Sequence, residues 1–156
     1  MTDKKYRPNV AAVILSPKYP YESKIFLGSR IDYKGNIWQF PQGGIDEGES
    51  PQDALFRELK EEIGTDDVEI IDEYPQWLSY DFPNIIASKM YPYDGQTQKY
   101  FLVKLKSTAK INLETIEPEF KSYKFVDSDK VIQNIGNMKK RIYKKVLAYF
   151  KKSGYL

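Results

Sequence analysis

The chain contains no cysteine and no histidine. Without thiols it can form no disulfide and no thiolate metal centre. Without imidazole, Ser-His-Asp and Cys-His nucleophile systems are excluded, and proton transfer falls to a carboxylate, a lysine or metal-bound water. Long apolar runs are missing too: none approaches the ~20 residues that span a bilayer. The opening Met1-Thr2-Asp3-Lys4-Lys5 carries no apolar signal region. No glycine/serine linker, low-complexity tract or internal repeat interrupts the chain. These absences fit a cytoplasmic location with no membrane partner. At 156 residues and 41% hydrophobic composition, one globular domain over 1–156 is expected. The formal net charge of +2 falls short of the footprint of a dedicated nucleic-acid binder, and no DNA partner is expected. The sequence does not give the oligomeric state, and a monomer is the default.

What the chain does have is concentrated between 43 and 65. Gly43-Gly44-Ile45-Asp46-Glu47-Gly48-Glu49 makes a glycine turn, followed by a helical segment that includes Arg57-Glu58-Leu59-Lys60-Glu61-Glu62-Ile63-Gly64. Ser50 is a good N-cap, Pro51 suits the first helical position, Asp53 stands where a capping-box acceptor belongs, and Gly64 suits the C-terminal stop. Leu55, Leu59 and Ile63 recur every four residues and make a stripe that buries against a core. Residues three and four apart share a helix face, so Glu58, Glu61 and Glu62 are expected to converge beside that stripe, rigid and partly shielded. Like charges so placed repel by a few tenths of a kcal/mol per pair, and a divalent cation would offset this. Hard oxygen ligands suit Mg²⁺, Mn²⁺ or Ca²⁺. The bland alternative, a solvated salt-bridge face, would pair these acids with lysines at i+4; here only Arg57 and Lys60 are near.

Strands are expected near 8–15, 24–29, 68–80, 99–105 and 120–126, with short pieces around 37–45. Helices are expected over 51–63, 128–135 and 138–152, and this alternation indicates α/β. The last helix carries Lys139, Lys140, Arg141, Lys144, Lys145, Lys151 and Lys152 with no acid among them, opposite Ile142, Val146 and Phe150. Basic helices are commonly only solvated surface. Lys139 and Lys140, at its start, are the better candidates for phosphate contact. The thirteen tyrosines read as core and rim residues.

Gly43, five residues, Glu49, seven residues, then Arg57-Glu58-Leu59-x-Glu61-Glu62-x-Gly64 resembles the signature of the Nudix family, hydrolases of nucleoside diphosphates linked to another group. One position departs, since Thr65 stands where a bulky aliphatic is usual. The flanks resemble one branch, the bacterial RNA pyrophosphohydrolases, also called dinucleoside polyphosphate hydrolases. They are Tyr6-Arg7-Pro8-Asn9-Val10, Trp38-Gln39-Phe40-Pro41-Gln42-Gly43-Gly44-Ile45, Trp77-Leu78-x-Tyr80, Gly95-Gln96-x-Gln98-Lys99, Pro118-Glu119-Phe120 and the basic stretch around Tyr143. The resemblance implies an α/β/α sandwich with a mixed sheet. It implies metal binding by Glu58, Glu61, Glu62, Gly43 and Glu119, the last completing the cluster or acting as base, and Arg57 as the residue that orients Glu49. Two or more Mg²⁺ or Mn²⁺ ions are expected.

Arg7, Tyr80 and Lys99 match positions that grip the phosphate chain; Gln39, Gly43 and Gly44 lie in the motif beside them. Thr97 replaces an often basic residue. Met138 falls where the branch has an aromatic that stacks an RNA base, and a thioether replaces such stacking only in part. The expected reaction is removal of pyrophosphate from triphosphorylated RNA 5′ ends, with free dinucleoside polyphosphates such as diadenosine tetraphosphate as the alternative. A non-catalytic nucleotide- or RNA-binding module is remote, because the acids and Gly43 are intact.

Overall fold

The computed structural model describes residues 3–156 except 33 and 36, so Met1 and Thr2 of the expected domain lie outside the described residues. Its spine is a pair of long strands. β1 (Tyr6–Leu15) runs parallel to β7 (Gly95–Leu105), in register from Tyr6 opposite Gly95 to Leu15 opposite Lys104. Around them an eight-stranded mixed sheet adds β2 (Lys24–Arg30), β3 (Trp38–Gln39), β4 (Gln42–Gly44), β5 (Val68–Glu73), β6 (Leu78–Asp81) and β8 (Phe120–Asp127). β4 pairs antiparallel with β1, setting Gly43 opposite Val10.

Side chains alternate across a strand, and β1 is apolar on both sides because both sides are covered. Val10, Ala12 and Ile14 pack with Leu55, Leu59 and Ile63 of α1 (Pro51–Ile63). Ala11, Val13 and Leu15 pack with Ile142, Val146 and Phe150 of α3 (Asn137–Lys152). The result is the expected α/β/α sandwich with a mixed sheet.

At the caps of α1, Ser50 and Gly64 act as expected, whereas the Asp53 side chain makes no return bond to the Ser50 N–H. Ser50 Oγ accepts from the Asp53 N–H at 3.1 Å, and Gly64, at φ 76°, ends the helix in the left-handed region. α3 is tied to the sheet by Tyr143, whose ring stacks on Phe40 at 4.0 Å between centroids and whose hydroxyl accepts from the Phe40 N–H at 3.0 Å. That bond sets the start of α3 beside the glycine turn.

Three expectations are corrected. The strand over 68–80 is two strands, because Tyr74-Pro75-Gln76-Trp77 breaks it; Pro75 has no N–H to give to a ladder. β5 then pairs with the far half of β7 and β6 with its start, which is why β7 begins at Gly95 and not at 99. The segment 128–135 is no α-helix but two 3₁₀ turns, Ser128–Lys130 and Ile132–Asn134. Between β6 and β7 lies an unforeseen short helix, α2 (Asn84–Lys89), with no buried residue. Six residues are too few to show a 3.6-residue period. Among the described residues no helix is long and apolar enough to cross a membrane.

Candidate active site

α1 aims Glu58 and Glu62 at the glycine turn. Glu62 is 1% exposed; its Oε2 accepts from the Gln42 N–H at 3.2 Å, and its Oε1 receives no N–H or O–H, while the Glu119 carboxyl stands within hydrogen-bonding reach of the same side chain. Burial, with the facing Glu119 and nearby Glu58, pushes its carboxyl well above the usual range. Burial also pushes Glu58 up to about 7, although Arg57 pulls the other way. At Gly43 a Cβ would stand 1.9 Å from Glu58 Cδ, so glycine lets the Glu58 carboxylate lie against the backbone and any side chain there would push it out of place. At Gly44 a Cβ would stand 2.3 Å from Arg7 Nη2, so a side chain there would push the guanidinium aside.

Arg57 is the clamp of this corner. Its Nε and Nη2 donate to the two oxygens of Glu49, both at 2.8 Å, and Nη2 also reaches the Gly44 carbonyl at 2.8 Å. Nη1 donates to Glu58 at 2.8 Å and to Glu61 at 3.2 Å. The guanidinium holds Glu49 down at about 2. The arginine thus fastens the loop at Glu49 and Gly44 to the helix.

In front of the acids opens a cavity of about 340 Å³, at the small end of ligand sites. Glu58 and Glu119 line it together with Arg7, Gln39, Gly43, Gly44, Tyr80, Met138 and Lys139. Lys139 is buried, bonded to Gln42 Oε1, and burial with nearby Arg30 pulls its ammonium down to about 7. Behind it a buried relay fixes the side chains. Gln98 Nε2 donates to Asn9 Oδ1 at 2.8 Å and to Gln42 Oε1 at 3.0 Å, while the Tyr100 hydroxyl donates to Gln98 Oε1 at 2.7 Å.

Some expected members stand elsewhere. Glu61 shares Arg57 Nη1 with Glu58 but stands at the margin: its side chain is 59% exposed and lines a second cavity together with Ile116, Glu117 and Glu119. Lys99 does not reach the main cavity. Alternation along β7 puts Gln96 and Gln98 on the cavity side and Lys99 on the other, where its Nζ donates to the Tyr74 carbonyl at 2.8 Å and pairs with Glu73 at 3.2 Å. Lys140, unlike Lys139, is not among the lining residues. The reading of the sequence missed Asn9, Arg30, Gln42, Phe82, Ile86, Met90 and Gln96, all of which line the cavity. Gln42, Asn9 and Gln96 stood inside the quoted motifs and carried a signal; the residues of α2 carried none.

Among the described residues no three acidic side chains close tightly enough to cage an ion unaided. Arg57 supplies the positive charge that Glu58 and Glu61 would otherwise take from a cation. The donor set nonetheless fits a hard divalent ion. Glu62 keeps an unpartnered buried oxygen, Glu58 and Glu119 stand by it, and the bare backbone at Gly43 leaves room beside Glu58.

A profile of the NUDIX domain matches residues 5–150. An RNA pyrophosphohydrolase of Campylobacter jejuni subsp. jejuni (strain 81-176) is 63% identical over 99% of this chain and 98% of its own length. One from a Nitratiruptor species is 63% identical over 99% of both. Among solved structures, the E. coli dihydroneopterin triphosphate pyrophosphohydrolase superposes with a TM-score of 0.71 over 94% of this chain and 99% of its own, at 18% identity. The sheet, the glycine turn and the acid-bearing α1 are therefore those of a family fold, and the chain belongs to the Nudix hydrolases.

Proposed function

We propose that this chain is a divalent-metal-dependent hydrolase that removes pyrophosphate from triphosphorylated RNA 5′ ends. The name borne by its 63%-identical, full-length relatives supports the substrate. One observation carries the chemistry: a buried Glu62 with an unpartnered oxygen, beside Glu58 and Glu119, at a cavity that Arg7 and Lys139 also line. Acids and cations lining one cavity suit a polyphosphate with its metal.

In this reading Glu58, Glu62, Glu119 and the Gly43 carbonyl would hold Mg²⁺ or Mn²⁺, two or more ions, with Glu61 joining from the margin. The metal, when bound, neutralises phosphate oxygens and acidifies water. The protein supplies position and charge, which is most of what phosphoryl transfer requires. Arg7 grips phosphate oxygens through its planar fork and Lys139 adds a point charge. Tyr80 and Gln39 orient the chain. Glu119 completes the oxygen set or takes the proton as water attacks phosphorus; pyrophosphate leaves and a 5′-monophosphate remains. Arg57 does no chemistry; it keeps Glu49, Gly44 and Glu58 in register. The cytoplasm is the compartment in which such RNA ends are made.

The test is turnover of 5′-triphosphate RNA against diadenosine tetraphosphate at equal concentration with Mg²⁺. The RNA should be converted faster, with pyrophosphate released; EDTA should abolish the reaction and added Mg²⁺ restore it. A clear preference for the dinucleotide would replace RNA by free dinucleoside polyphosphates as the substrate, with the same residues at work.

A further inference from the structure

The cavity is two-sided in chemistry. Its floor carries the carboxylates and cations, whereas Phe82, Ile86 and Met90 line it from α2 and its flanks with no charged group among them. Those three are half-buried although α2 has no residue in either core, and the neighbouring Ile85 and Tyr91 are 77% and 88% exposed. Phe82, Ile86 and Met90 therefore present apolar surface to the cavity, Phe82 with its ring edge-to-face on Tyr80 of β6 at 5.9 Å between centroids.

The excursion that bears them is held at its neck. Phe82 N–H donates to the Asp94 carbonyl at 2.8 Å, closing the loop on itself. The N-terminal segment then straps both ends to β1. The Tyr6 hydroxyl donates to Asp81 at 2.6 Å, Lys4 pairs with the same carboxylate, and the Lys5 N–H donates to Asp94 Oδ2 at 2.8 Å. Arg7 follows directly on β1 and lines the same cavity. The apolar wall and the phosphate-gripping arginine are thus fixed to one strand.

Resting on the RNA reading above, we infer that Phe82, Ile86 and Met90 form the subsite for the nucleobase of the first nucleotide, the one that carries the triphosphate. Base faces are flat and apolar, and Phe, Ile and Met side chains hold no strong hydrogen-bond donor or acceptor for a base edge. The wall takes any base by contact area. Purines, with the larger face, are favoured over pyrimidines by a few-fold, and removal of the base weakens binding by about tenfold, within the range of base stacking.

The experiment compares kcat/KM on triphosphate RNA with an intact or an abasic first nucleotide, in wild type and in Ile86→Asp. Ile86 lies on a helix with no buried residue, so the substitution leaves both cores untouched. The intact-to-abasic ratio should fall from about ten in wild type to near one in the variant, with the change in KM, as expected for lost stacking. Met90→Ala should give an intermediate ratio. A wild-type ratio near one, or an equal loss by Ile86→Asp on both substrates, would overturn the subsite while leaving the RNA reading in place. Failure of wild type to turn over any triphosphate RNA would overturn the RNA reading and the subsite with it.

Discussion

At the scale of single residues, the acids differ in environment and should differ in consequence. Glu62 is buried beside Glu58 and Glu119, so Glu62→Gln should leave under a tenth of the wild-type rate, a barrier increase above ~1.4 kcal/mol. It should also raise the melting temperature of the metal-free protein, since burial and its acidic neighbours disfavour the charged form. Steady-state rates and thermal melts in EDTA check both; a rate above that limit would remove Glu62 from the ligand set. Glu119→Ala should lower kcat far more than Glu114→Ala or Glu117→Ala, because Glu119 lines the main cavity and those two are exposed outside it. Equal, modest effects would make Glu119 loop surface. The three-and-four spacing made Glu58 and Glu62 legible in the sequence. For Glu61 the spacing gave the face but not the depth: the side chain shares Arg57 Nη1 with Glu58 and yet stays 59% exposed. Lys99 was misplaced because its position in a motif does not reveal which face of the strand it takes.

Among the elements, α1 was legible to the residue, since Ser50, Pro51 and Gly64 mark its ends chemically. α2 was not, and neither were the 3₁₀ turns after β8. Six residues without caps or period, or three, leave no pattern to read, and only their packing against the cavity and the sheet defines them. The start of α3 invites a test of substrate. Met138 lines the cavity and is 45% exposed, so Met138→Phe should lower KM for triphosphate RNA several-fold by adding a stacking face. Turnover of diadenosine tetraphosphate should change less. Equal effects on both substrates would mean that this end of α3 meets no RNA base. Lys140→Ala should flatten the salt dependence of RNA binding with little change in kcat, because Lys140 stands outside the cavity.

For the molecule as a whole, buried acids and a buried lysine set an unusual pH response. Glu58 titrates at about 7 in the fold against an ordinary 4.5, so the folded state binds more protons than the unfolded one between those values. Its stabilisation is full below 4.5 and is lost as pH rises through 7. Glu62 shifts in the same direction. Lys139 titrates at about 7 against an ordinary 10.5, so there the unfolded state binds more protons and stability rises from 7 to 10.5. Without divalent ions the melting temperature should therefore pass through a minimum near neutral pH. Added Mg²⁺ should fill that minimum and release protons, because its ligands must ionise. Melts across pH 5–9 in EDTA and in Mg²⁺ decide this. A maximum near 7 in EDTA would mean that these groups do not govern the stability.

Gly43 also bears on how readily this enzyme can change. A side chain at Gly43 would occupy the place of the Glu58 carboxylate, and one at Gly44 would push the Arg7 guanidinium aside, so substitution at either moves a functional side chain off the floor of the cavity. The wall on α2 has no such neighbours. Variation in substrate choice is thereby channelled into residues 82–90, and a library confined to that segment should yield altered preferences without inactive folds. One spread evenly over all the cavity-lining positions should yield mostly dead protein.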